Sequence, residues 1–257
     1  MSRQSHILST LQLFDTGPPV WTVEQIASAL AVSVSTAYRT VRELTQAGFL
    51  DPVSGAGYVL GPAFIRFDRV IRQSDPLVHV ATPVMDRLLE ETSQEATVLL
   101  CRRFKDCIMS VHIVEGREPH LPASYERGAA MPLFIGAPAK VILSFLPDRV
   151  LRGLYLRNEA TLHASGIDSW QRFKAQLKPV RKAGFAMTVA EISEGRIGIA
   201  APILREGLAT ASLSLVVSAD WLQRDEPRLT AFAAVVRRAA HDISQMLERQ
   251  DSLLTPR

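Results

Sequence analysis

Apolar side chains at Ile7, Leu8, Leu11, Leu13 and Phe14 recur at helical spacing until Thr16-Gly17-Pro18-Pro19 interrupts them, which predicts a first helix over about residues 4–15. Thr22-Val23-Glu24-Gln25 has the form of a capping box and opens a short second helix with Ile26, Ala27 and Leu30 as its inner face. A third helix follows over 34–47 on the stripe Ala37, Val41 and Leu44, with Gly48 where a left-handed cap belongs. Residues 49–51 and 57–60 read as strands around the turn-forming segment 52–56, a small hairpin. Three helices and a hairpin make a winged helix-turn-helix over residues 1–62.

Beyond Gly61-Pro62, residues 63–74 are expected to form a linker helix. Its Phe64, Ile65, Phe67, Val70 and Ile71 are more apolar surface than a lone helix hides, so a second copy of the chain is expected to cover it. Asp75-Pro76 then starts a helix to about Thr92. The period changes to strand at 96–101 and 108–114, with the charged segment 102–106 between them. Helices are predicted over 133–146, 147–156 and 169–183, the last closed by Gly184, then strands over 197–204 and 209–217 and a final helix over 227–249. Residues 75–257 are thus an α/β domain large enough for its own core. No apolar run approaches the roughly 20 residues a bilayer needs, and no secretory signal layout opens the chain, so a cytoplasmic protein with no membrane partner is expected.

Charge adds less than it first promises. A pI near 9.1 and a net charge of +3 suggest a nucleic-acid partner. Yet six arginines (Arg3, Arg39, Arg42, Arg66, Arg69, Arg72) meet six acids (Asp15, Glu24, Glu43, Asp51, Asp68, Asp75) in the first 75 residues, so the excess lies entirely beyond them. The two cysteines, Cys101 and Cys107, have neither the number nor the spacing of a zinc site or disulfide framework, and no metal or cofactor is expected.

In a winged helix-turn-helix the third helix enters the major groove and the second braces it against the backbone. The residues so placed are Ser33, Ser35, Thr36, Tyr38, Arg39 and Arg42, with Thr22 and Gln25 at the start of the bracing helix. Short hydroxyls near a helix N-terminus suit phosphate oxygens, and an arginine can grip guanine through two hydrogen bonds. Two plainer readings stand beside this one: Ser33 as an N-cap only, and Arg39 with Glu43 as a solvated pair four residues apart. A winged-helix module that binds protein rather than DNA is the corresponding alternative for the domain.

With both halves in view, the chain resembles the IclR-type bacterial transcriptional regulators over nearly its full length. The helix-turn-helix from Ile26 to Arg39 and the wing ending Gly57-Tyr58-Val59-Leu60-Gly61-Pro62 carry the first part of the likeness. Met131-Pro132-Leu133-Phe134 with Lys140 carries the second. Gly184-Phe185-Ala186, Glu191, Gly195, Ile199-Ala200-Ala201-Pro202 and Ala211-Ser212-Leu213-Ser214 carry the third. The resemblance implies an α+β chain, a winged helix-turn-helix joined by the linker helix to a GAF-like α/β effector-binding domain. It also implies a homodimer or dimer of dimers, a double-stranded operator DNA, and affinity altered by a small organic acid.

The departures sharpen the ligand. Thr188 stands where the family commonly has Asp, Gly198 where members that bind small keto acids tend to have Cys, and Val216 where a second serine is usual, while Ser214 matches the first. A larger, more apolar pocket is expected, walled by Met131, Ala137, Ile197 and Gly198 with Thr188 and Ser214 as hydroxyl partners, suited to an aromatic or medium-sized organic acid rather than glyoxylate or pyruvate. Arg196 is either an inward anchor for a carboxylate or a surface arginine at a strand entrance. A fully degenerate pocket would leave a constitutive regulator. Catalysis is not expected: Ser214 lacks the Gly-x-Ser-x-Gly turn, no His-Glu-x-x-His or Walker-type run occurs, and His112 sits inside a strand pattern.

Overall fold

The computed structural model describes residues 3–93, 95–116 and 126–254. The chain divides into two compact units, Met1–Asp75 and Pro76–Arg257. The first contains α1 (Arg3–Thr16), α2 (Val23–Ala29), α3 (Val34–Gln46), β1 (Leu50–Val53), β2 (Gly57–Leu60) and α4 (Ala63–Ser74). Phe14, Ile26, Ala27, Ala37, Val41, Leu44 and Leu50 form its core. Local chemistry sets the boundaries. Thr22 accepts from Gln25 N–H and the Gln25 side chain returns to Thr22 N–H, a complete capping box. After α3 the chain passes through Gly48 at φ +76, the left-handed conformation that glycine adopts without a Cβ clash.

The wing is an antiparallel hairpin, and it gains a third backbone partner. Trp21 and Tyr58 exchange N–H···O=C bonds of 3.0 and 2.9 Å, which ties the entrance of α2 to β2. Gly57 makes this contact: its φ is +124, and a Cβ there would lie 2.5 Å from the Trp21 carbonyl oxygen. Phe49, just before β1, stacks on Phe67 at 5.8 Å and meets Phe64 edge-on at 5.5 Å, so α4 packs back on the wing through two rings. The rest of that same apolar face stays open, with Val70 and Ile71 more than half exposed, while Ile65, 75% exposed, points away from it.

The second unit runs α5 (Pro76–Thr92), β3 (Thr97–Phe104), β4 (Cys107–Glu115), β5 (Ala130–Pro132), α6 (Ala137–Ser144), α7 (Asp148–Arg157), α8 (Glu159–Ala164), α9 (Trp170–Ala183), β6 (Ala186–Val189), β7 (Arg196–Arg205), β8 (Leu208–Ser218), α10 (Trp221–Arg224) and α11 (Glu226–Leu254). The sheet order is β5-β4-β3-β8-β7-β6, every neighbour antiparallel. The helix expected over 133–146 begins only at Ala137, because Gly136 at φ +85 holds the chain out of helical geometry, and 130–132 is a strand. The short strands β5 and β6 and the helices α8 and α10 lie outside the sequence expectations, being too brief for a periodic pattern to register.

Strand alternation sorts the sheet into two faces. Ile197, Ile199, Leu213, Leu215 and Val217 join Val84, Leu88, Phe232 and Val236 of α5 and α11 in the larger core. Leu99, Cys101, Ile108, Met131 and Val216 face the other way, into a second core with Ile142, Leu154 and Phe173 of α6, α7 and α9.

Candidate DNA-reading face and effector recess

On α3 the buried positions are Ala37, Thr40, Val41 and Leu44, which turns Val34, Ser35, Tyr38, Arg39 and Arg42 outward. At about 100° per residue these five fall within one arc of about 140°. Tyr38 is 57% exposed. The hydroxyls divide into two kinds. Ser35 points outward, whereas Ser33 is the N-cap, accepting from Thr36 N–H at 3.2 Å with its Oγ 2.9 Å from Thr36 Oγ1. Thr22 and Gln25 are likewise engaged with each other in the cap of α2. The wing has no cation: residues 49–61 contain Asp51 and neither lysine nor arginine, which leaves backbone N–H groups and the Ser54 and Tyr58 hydroxyls as its donors.

In the second unit, Ala137, Thr188, Arg196, Gly198 and Ser214 converge on one recess, together with Pro138, Glu191, Ile192 and Val216. The register explains the convergence: Thr188 pairs with Gly198, Gly198 with Val216, and Ala200 with Ser214, all on the face toward α6. A Cβ on Gly198 would stand 3.4 Å from Thr188 Oγ1 and 3.7 Å from Ala137 Cβ, ordinary contact distances, so an alanine would fit there without displacing α6. Ile197 is a correction. Being one residue from both Arg196 and Gly198, it points to the opposite face and is fully buried in the larger core. Met131 is buried in the second core and does not line the recess.

The recess is also smaller than expected. Its cavity is about 10 Å³, the room of about one water, because Ile192 and Val216 occupy the space that small residues would leave. Ser214 lies at its floor, fully buried, and its hydroxyl, like that of Ser212, makes no hydrogen bond of ordinary geometry among the described residues. Both hydroxyls approach the Cys101 thiol, a weak partner. Burial pushes that thiol up to about 12, and the two hydroxyls offset the rise only in part.

Glu191 separates this recess from a larger cavity of about 480 Å³ bounded by Leu133, Phe134, Lys140, Leu162 and Ile167. The carboxylate is held at both oxygens: Oε2 accepts from Gly136 N–H at 2.8 Å, and Oε1 pairs with Lys140 Nζ. Arg157 and Asp106 form a looser pair of 3.4 Å, Asp106 lying on the wall of this cavity. Sequence reasoning placed Lys140 beside the pocket but gave Glu191 no partner; the two are 51 positions apart, and no local pattern joins them.

Among the described residues no group of three His, Cys, Asp or Glu side chains could hold a metal ion. His112 pairs with Thr82 Oγ1 at 3.2 Å, bridging β4 to α5. No described helix is long and apolar enough to cross a membrane.

A helix-turn-helix domain model matches residues 3–59, and a model described as the C-terminal part of the bacterial transcriptional regulator IclR matches residues 70–245, more than half of the chain. The HTH-type transcriptional regulator KipR of Bacillus subtilis is 26% identical over 230 residues, covering 89% of this chain and 90% of the relative. Among solved structures, an IclR regulator from Alicyclobacillus acidocaldarius aligns with a TM-score of 0.74 at 20% identity, over 95% of this chain and 97% of its own. An IclR homologue from Microbacterium hydrocarbonoxydans, solved with 4-hydroxybenzoate, aligns with a TM-score of 0.74 at 22% identity, over 96% of this chain and all of its own.

Proposed function

Since the chain belongs to the IclR family of bacterial transcriptional regulators, and its relatives are regulators rather than enzymes, we propose that it binds a specific operator through α3 and that a small organic acid modulates this binding. The observation that carries the DNA half is the single outward face of Ser35, Tyr38, Arg39 and Arg42, backed by a buried opposite face. Arg39 and Arg42 read base edges, Ser35 and Tyr38 contact phosphate, and Ser33, Thr36, Thr22 and Gln25 hold the helix ends that present them. A homodimer, or a dimer of such dimers, supplies two reading helices for two half-sites about one DNA turn apart, with the open side of α4 as the covered surface. The protein would act in the cytoplasm, where its DNA lies.

The acid acts on the α6 side of the sheet, where Thr188, Arg196, Gly198, Ser214 and Ala137 line a recess that adjoins the larger cavity. Support comes from the weakly partnered Ser214 hydroxyl, and from the relative whose structure contains 4-hydroxybenzoate. The recess of about 10 Å³ favours a second reading, a constitutive regulator whose pocket stays closed. Fluorescence anisotropy with the DNA upstream of the protein's own gene separates these. Saturable, salt-sensitive binding that Arg39→Ala weakens and that changes with an acid from a broad panel supports the proposal. Binding indifferent to every acid supports the constitutive reading, and no DNA binding at all leaves a protein-interaction module.

A further inference from the structure

Two neighbouring spaces on the α6 side of the sheet differ in size by far more than their shared wall would suggest. One is the recess of about 10 Å³, and the other is the cavity of about 480 Å³, which lies within the range of about 300–1,000 Å³ usual for small-molecule sites. The wall between them is Glu191, held by two groups that suit an anion: the Gly136 N–H at the start of α6 and the Lys140 ammonium. Lys140 is the one cation among the described residues lining the larger cavity. It has three N–H donors and gives one to Glu191. The rest of that lining has a long apolar side in Leu133, Phe134, Leu162 and Ile167.

We propose that the larger cavity binds an amphipathic monocarboxylate, its carboxylate replacing that of Glu191 on Lys140 and its apolar body lying against Leu133, Phe134, Leu162 and Ile167. This rests on the reading of the second unit as an organic-acid sensor and names the site and the exchange. Glu191 is then a built-in stand-in for the ligand's charged end. Exchanging one carboxylate for another keeps the charge at Lys140 balanced, which adding a second anion beside Glu191 would not. Glu191 and Lys140 are 30% and 33% exposed, so the displaced side chain has water to move into.

The exchange has a structural consequence. Glu191 and Ile192 sit in the β6–β7 turn, which passes through Ala190 at φ +55 and Gly195 at φ +70. A non-glycine residue in that region is strained and persists where its surroundings hold it. Releasing Glu191 removes one such hold and lets Ile192 lift from the recess over Ser214, giving the two arrangements between which a ligand can discriminate.

The test is calorimetric titration of the full chain with benzoate, phenylacetate and octanoate, and with benzamide as the uncharged comparison. At least one acid should bind, and benzamide should bind about tenfold more weakly or less than that. Glu191→Gln should tighten the acid about tenfold by removing its competitor, Lys140→Gln should weaken it about tenfold or more, and Lys140→Arg should retain it. Melting curves identify any variant that fails to fold, and the tightening in Glu191→Gln is a gain that misfolding cannot mimic. Acid binding that is indifferent to Lys140→Gln and Glu191→Gln but lost in Ser214→Val places the ligand in the recess; the inference then falls while the sensor reading stands. No binding of any of the three acids to wild type or Glu191→Gln overturns the inference, and operator binding with the broader panel judges the sensor reading independently.

Discussion

Ser33 and Thr36 close on each other at the start of α3, their hydroxyl oxygens 2.9 Å apart while Ser33 Oγ also accepts from Thr36 N–H. The bond satisfies one of the N–H groups that a helix start leaves without a partner. Ser33→Ala should therefore act chiefly on stability, lowering it by about 1 kcal/mol, with the operator affinity of the folded protein reduced far less than by loss of an arginine. Urea unfolding and anisotropy on the same samples measure both quantities.

Arg39 and Arg42 are the only cations on the reading face of α3. Arg39→Ala should cost about 1–3 kcal/mol of discrimination, roughly 5- to 150-fold in affinity for the operator, with a smaller loss on unrelated DNA. An equal loss on both kinds of DNA would make Arg39 a phosphate contact.

The open apolar face of α4 carries Phe67, Val70 and Ile71, each more than half exposed, on a helix of 12 residues. If a second copy covers it, Val70→Asp with Ile71→Asp should shift the sedimentation coefficient toward the monomer and reduce operator affinity steeply, since a single reading helix finds a single half-site. A dimer of unchanged stability in that variant would move the association elsewhere.

Cys101 supplies a pH signature. Its ordinary value of 9.0 rises to about 12 by burial, so below about pH 8 the thiol is essentially neutral both folded and unfolded and contributes little pH dependence. From pH 9 toward 12 the unfolded chain ionises and the folded one does not, so stability falls across that window, at most about tenfold in the unfolding constant per pH unit. The alkaline slope of wild type should exceed that of Cys101→Ala. In native protein at pH 8, iodoacetamide should modify the partly exposed Cys107 and spare Cys101.

Ser214 is buried, and its hydroxyl has only the Cys101 thiol as a weak partner among the described residues. Replacing Ser214 by alanine removes the cost of burying that hydroxyl, and the variant should be as stable as wild type or more stable, by up to about 1 kcal/mol in urea.

How much of this was written in the chain depends on the range of the interactions involved. The capping box at Thr22, the cap at Ser33, the stripe of α3 and the glycine at position 48 are signals contained within one helix and its ends, and they define the reading face before any packing is known. The second unit was legible in its long elements and not in β5, β6, α8 and α10, which are too short for a period to show and form because neighbours already in place supply their partners. The recess was legible through five of its residues, since Thr188, Gly198 and Ser214 are aligned by antiparallel register, whereas Ile197 failed on strand parity. Its closure by Ile192 and the pairing of Lys140 with Glu191 had no sequence signal. They arise where the β6–β7 turn meets the start of α6, and only the folded chain decides which distant charges face each other across so short a gap.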